Sequence, residues 1–227
     1  MTVWVTRTQP GADQTARRLA DLGIEALVDP VLRVRPLDMP IDLDGFDALV
    51  FTSPNGVSVF AGRALRRDLP AFAVGDATAA ALADIGFIDV RSASGDVQDL
   101  ARLLIESRPG RALRLGPRRP AGALVGLAAA GGVEVVSLPI YETVEIEPGH
   151  ALQADGLSHV LIHSGRAAEA VARHVTPERL AFLSVLAISQ AAAAPLEGRV
   201  AAIAHAPFPD EASLLKLCAA TLSEGDT

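Results

Sequence analysis

Phe46-Asp47-Ala48-Leu49-Val50-Phe51-Thr52-Ser53-Pro54-Asn55-Gly56-Val57 decides the fold. Residues 48–52 form a short, nearly unbroken apolar run, the pattern of a strand covered on both faces. The polar residues after it break the run, and residues 55–65 carry helical periodicity. A buried strand that turns at once into a helix is half of a parallel β-α unit.

The same switch recurs in both directions along the chain. Strands are expected at 3–6, 71–74, 89–92, 111–115, 133–138, 159–163, 184–188 and 200–204. Between them fall helices at 14–22, 76–85, 97–107, 121–130, 167–174, 190–194 and 210–222. Gly23, Gly86 and the pair Gly131-Gly132 stand where three of these helices should stop, and Asp96 stands where one should be capped. A further apolar run begins near Glu25 and passes Pro30 into Leu32-Arg33-Val34-Arg35. These elements are too many for one five-stranded sheet. They predict an α/β chain of two doubly wound parallel-sheet domains. An internal echo supports the division: Ile162-His163-Ser164-Gly165 repeats the strand-to-helix switch at Phe51-Thr52-Ser53-Pro54-Asn55. Val74-Gly75-Asp76-Ala77-Thr78-Ala79 and Ile188-Ser189-Gln190-Ala191-Ala192-Ala193 follow the two copies at a similar distance.

Bulk composition narrows the function classes. Half of the 227 residues are hydrophobic but only 4% aromatic, which suits tight helix-on-sheet packing and offers no base-stacking platform. The net charge of -7 opposes nucleic-acid binding, where phosphate neutralisation dominates. Lys216 is the only lysine, so positive charge comes almost wholly from arginine, whose planar fork grips carboxylates in pairs. The lone Cys218 permits neither an internal disulfide nor a cysteine metal cluster. Neither a signal sequence nor a run of about 18 apolar residues is present. The chain is expected to be soluble, cytoplasmic and monomeric, with no nucleic-acid or membrane partner.

No G-x-G-x-x-G, phosphate-binding loop or G-x-S-x-G elbow occurs. His159 and His163 share a strand face with no acidic or cysteine neighbour in sequence, so they read as core or sheet-surface residues, and no metal site is expected. What remains are polar residues just past strand ends, where doubly wound sheets bind ligands. Thr6-Arg7, Thr52 to Asn55, Gly75 to Thr78, Gly116 and Ser164-Gly165-Arg166 all qualify. Helix N-termini there present free backbone N–H groups to anions. Serine, threonine, asparagine and aspartate also cap helices whatever the function, so each alone reads as a cap and only the set reads as a cleft.

At this point the chain resembles the uroporphyrinogen-III synthase family. The resemblance rests on Val5-Thr6-Arg7 and the helix ending at Leu22-Gly23, and on Phe46 to Val57. Val74-Gly75-Asp76-Ala77-Thr78-Ala79-Ala80-Ala81-Leu82, Ile140-Tyr141-Glu142-Thr143 and, more weakly, Ile162 to Gly165 continue it in order through nearly the whole chain. The resemblance implies two α/β domains joined by a two-stranded linker, with the ligand cleft between them. One domain would be 1–34 with 144–227, the other 37–139, and the linkers about 32–37 and 138–144. It implies a cofactor-independent lyase that cyclises hydroxymethylbilane to uroporphyrinogen III, inverting the terminal pyrrole ring with loss of water. Tyr141 would be the catalytic acid; Arg7, Ser53, Asn55, Gly75, Thr78, Ser164 and Gly165 would bind the substrate. Arg118, Arg119 and Arg166 are further candidates for its carboxylates. The second G-x-x-T-A of the family reads Ser189-Gln190-Ala191-Ala192-Ala193 here, losing a glycine and a hydroxyl. The alternative is a non-catalytic, two-domain anion-binding relative. A nucleotide-dependent transferase is a third reading, disfavoured by the missing glycine-rich loop.

Overall fold

A computed structural model of the chain describes residues 2–63, 66–119, 122–154 and 156–224. In chain order the elements are β1 (Thr2–Val5), α1 (Gly11–Asp21), β2 (Ala26–Val28), β3 (Leu32–Pro36), β4 (Ala48–Phe51), α2 (Pro54–Ala61), β5 (Ala71–Ala73) and α3 (Asp76–Asp84). Then come β6 (Val90–Ser92), α4 (Val97–Ser107), β7 (Arg111–Pro117), α5 (Leu124–Ala130) and β8 (Glu134–Glu145). The chain closes with β9 (Leu157–Ile162), α6 (Gly165–His174), α7 (Pro177–Leu180), β10 (Ser184–Ala187), α8 (Gln190–Ala193), β11 (Ala202–His205) and α9 (Glu211–Glu224). They gather into two compact units, residues 1–33 with 144–227 and residues 34–143.

The first unit holds a parallel five-stranded sheet in the order β11-β10-β9-β1-β2. Side chains alternate across it as strands require. Trp4, Val160, Ile162, Val185 and Ala187 pack on one face with α6. Val3, Val5, Leu161 and Leu186 pack on the other with residues of α1 and α9. Trp4 is wholly buried and its indole N–H donates to the Asp29 carbonyl at 2.7 Å, so its polar edge is satisfied.

The inserted unit is built alike, on a six-stranded sheet ordered β3-β8-β7-β4-β5-β6. Strands β8 to β6 of that order run parallel. Leu49, Phe51, Leu113 and Leu115 face α2 and α3, whereas Ala48, Val50, Phe72 and Ala112 face α4 and α5. Phe51, Phe60 and Phe87 meet with ring centroids 5.5–6.3 Å apart, in an aromatic group beneath α2. The edge strand β3 lies beside β8, and both carry the chain between the units. The Leu37 N–H donates to the Ile140 carbonyl, and the Ile146 N–H to that of Val31, so residue numbers rise on one strand as they fall on the other. The pairing is antiparallel.

Several local expectations change. The apolar run across Pro30 is two strands in two different sheets. The chain turns at residues 29–31, where the Asp29 carboxylate accepts the N–H groups of Gly149, His150 and Ala151. The strand expected at 133–138 and the extended stretch after it are one twelve-residue strand, Glu134–Glu145. Helix α2 stops at Ala61 rather than running to residue 65; Ala64 and Leu65 lie outside the described residues, as does Ala121 at the expected start of α5. The short helix α7, which the periodicity did not predict, is capped by Thr176.

Candidate functional site

In the inserted unit, β4 ends at Phe51, and Thr52 and Ser53 turn the chain into α2. Ser53 is extended and caps the helix, its Oγ accepting the Asn55 N–H at 3.2 Å. The Tyr141 hydroxyl lies close to the Ser53 side chain. That tyrosine comes from β8, where the register against β7 slips after Gly116 so that Pro117 faces Tyr141. Only 3% of the residue is exposed. Gly56 of the same turn packs beside the ring: a Cβ there would crowd the Leu115 carbonyl at 3.1 Å and touch the Tyr141 ring at an ordinary 3.6 Å. Burial raises the Tyr141 pKa above its ordinary value, and Ser53 and the charge of Arg114 pull the other way. Ser53, Asn55 and Tyr141 thus meet at one turn.

Gly75 and Thr78 open the next helix, α3. Thr78 is buried in its first turn. Gly75 is extended, with φ -160°, and a Cβ there would meet only the Gly95 carbonyl at 3.9 Å. The packing at this position does not itself require a glycine. Beside it Asp76 accepts the hydroxyls of Ser92 and Ser94 at 2.7 and 2.8 Å, which hold its carboxyl pKa below the usual range. A carboxylate at this helix N-terminus opposes anion binding there.

The other unit carries Arg7, Ser164 and Gly165 past the ends of adjacent strands β1 and β9. Ser164 caps α6, its Oγ accepting the Ala167 N–H at 3.2 Å. Gly165 has room for a Cβ, 3.8 Å from the Ala191 carbonyl. Ser189 caps α8 in the same way, so the altered second motif keeps a helix start without its glycine or threonine. Arg7 lies over Gly11, where a Cβ would come within 2.7 Å of its guanidinium. It donates to Thr15 and to Glu211, and Thr15 donates to Glu211 as well. His163 adds Nε2 at 3.5 Å from the same carboxylate. No acid lies near this histidine in sequence; its acidic neighbour comes from α9. Burial lowers the His163 pKa, and among the described residues neither of its buried ring nitrogens has a hydrogen-bond partner.

Two of the groups at these strand ends went unnoticed in the sequence. Glu211 left no local signal, being 204 residues from Arg7. Arg114 did leave one, a charge set inside the apolar run Ala112-Leu113-Arg114-Leu115. Its guanidinium donates to Ser137 Oγ at 3.0 Å and Thr52 Oγ1 at 3.2 Å, and the residue is 2% exposed. Of the other candidate arginines, Arg118 lies 3.9 Å from Glu142, which Arg35 also holds. Among the described residues no three His, Cys, Asp or Glu gather as a metal site, and no helix is long and apolar enough to cross a membrane.

Comparison with known proteins sets these features in a family. No curated protein matched the chain in sequence. Among solved structures, uroporphyrinogen-III synthetase from Helicobacter pylori is 20% identical, with a TM-score of 0.70 over 97% of this chain and 98% of that one. A mutant uroporphyrinogen III synthase from Thermus thermophilus is 18% identical, with a TM-score of 0.55 over 99% of both chains. At those identities the likeness is one of fold. The sequence itself carries the rest, for the family model described as uroporphyrinogen-III synthase HemD matches residues 13–216. The chain belongs to the uroporphyrinogen-III synthase family.

Proposed function

We propose that the chain cyclises hydroxymethylbilane to uroporphyrinogen III, inverting the last pyrrole ring and releasing water. The family match across residues 13–216 carries this reading. The substrate supplies most of the driving force, because its electron-rich pyrrole expels the terminal hydroxyl and leaves an electrophilic azafulvene. The protein's task is to hold one folded conformation so that the far ring attacks through its substituted carbon. Its one classical chemical role is to give a proton to the departing hydroxyl.

In this proposal Tyr141 is that acid, with Ser53 beside the phenol. Asn55, Gly75 and Thr78 on one unit, and Arg7, Ser164 and Gly165 on the other, are the groups that bind the substrate. Arg7 gives one nitrogen to Thr15 and Glu211, and a guanidinium has five N–H donors, so donors remain for a carboxylate. The proposal takes the chain to act in the cytoplasm as a monomer and without nucleic acid, in keeping with its charge of -7.

The test is to add the purified chain, with no cofactor, to freshly generated hydroxymethylbilane, oxidise the products and separate the uroporphyrin isomers. Mostly type III is expected. Type I alone, as in the protein-free control, would refute the activity and favour a binding role.

A further inference from the structure

Arg114 sits inside the inserted unit with no counter-charge among the described residues. Its side chain runs along β7 toward the carboxyl end of the sheet, over Gly116, where a Cβ would come within 2.9 Å of the guanidinium. The hydrogen-bond partners of that guanidinium are the neutral hydroxyls of Thr52 and Ser137, and no carboxylate among the described residues pairs with it. A buried cation left in this state is costly unless something relieves it. Thr52, which takes one guanidinium bond, is followed directly by Ser53, whose side chain lies close to the Tyr141 hydroxyl, and the Tyr141 ring lies against Gly56 of the same turn. Consecutive residues of one turn therefore adjoin the cation and the phenol.

We propose that Arg114 is a positioning residue for Tyr141, placing a fixed positive charge where the phenolate forms as Tyr141 gives up its proton. The inference rests on the reading of Tyr141 as the acid. In the step concerned, the C–O bond of the hydroxymethyl group breaks and both electrons go to oxygen. The phenolic proton joins that oxygen, and water leaves. The pyrrole is left positive and Tyr141 negative. Rearomatisation after ring closure returns a proton to the phenolate, so the tyrosine is regenerated. With the phenol neutral, Arg114 is uncompensated; with the phenolate formed, it is paired. That difference favours the transition state over the ground state, the condition for a catalytic effect.

Other charges near the phenol are committed elsewhere. Helix α2 has no ionisable side chain. Glu142, next on β8, is held by Arg35 with Arg118 beyond it, and Asp76 on α3 is held by two serines. The electrostatic influences on Tyr141 come down to burial, Ser53 and Arg114.

Tyr141 is the chain's only tyrosine, so growth on 3-fluorotyrosine labels this site alone and gives a phenol acidic enough to titrate in the folded protein. The titration would be followed by fluorine NMR in the wild type, Arg114→Met and Arg114→Lys, with folding checked by circular dichroism. Loss of an opposite charge at close range moves a pKa by about 1 unit or more. Arg114→Met is expected to raise the titration midpoint by that amount and to slow kcat about tenfold while KM changes little. Arg114→Lys, which keeps the charge, should recover most of both. An unmoved midpoint in a folded Arg114→Met protein would overturn the inference. If KM rose instead, Arg114 would be a contact for a substrate carboxylate. Tyr141→Phe with an undiminished kcat would remove the acid itself, and the inference with it, even with the titration shift intact.

Discussion

At Glu211, burial acts to raise the carboxyl pKa, yet the contacts of His163 and Thr15 and the charge of Arg7 bring it down to about 2. A carboxyl depressed in the folded state and ordinary in the unfolded one stabilises the fold above pH about 4.5; the contribution is lost as pH falls toward 2. At about 1.4 kcal/mol per unit, discounted for partial exposure, Glu211→Gln should cost about 2 kcal/mol at pH 7. Urea denaturation of both proteins should show that gap closing between pH about 5 and about 2.5. A gap that ignores pH would mean that the carboxylate charge is not what the site uses. The site's legibility in the sequence followed distance along the chain. Ser53 and Tyr141 lie in motifs that name their own surroundings. Glu211 has partners about 200 residues away, and only folding brings them together. Arg114 was visible as a charge in an apolar strand, but its missing counter-charge was not, because that is a property of the packed interior.

Several helix starts at the strand ends are held by side chains: Ser53 for α2, Ser164 for α6 and Ser189 for α8 singly, and Asp96 with Asp99 for α4. Such residues can be caps, ligands or both, and the two roles separate by experiment. Ser164→Ala removes one acceptor from the first turn of α6 and should lower stability by about 1 kcal/mol. If Ser164 also binds substrate, KM for hydroxymethylbilane should rise about threefold or more, a loss on the scale of one hydrogen bond. A lower melting temperature with an unchanged KM would leave Ser164 as a cap alone. Element types were readable because a buried strand and an amphipathic helix have different hydrophobic periods. Boundaries were less so. The break at Pro30 depends on Asp29 collecting three N–H groups from residues 149–151, and the length of β8 depends on its neighbours β7 and β3.

For the molecule as a whole, the β-α alternation was enough to predict two parallel sheets, each covered on both faces. It could not give the strand order, in which the first strand lies between β9 and β2, because sheet neighbours are chosen by long-range pairing. Net charge is a whole-molecule property with its own consequence. A chain of charge -7 that turns over a carboxylate-rich substrate works against its own field at long range, so capture must depend on local donors. Screening weakens the distant repulsion more than close contacts, since the Debye length falls from about 30 Å at 0.01 M salt to about 8 Å at 0.15 M. Initial rates of type III formation at low substrate should therefore show kcat/KM rising about twofold over that range. A fall would mean that arginine attraction already governs the encounter, and the local field at the strand ends would outweigh the net charge.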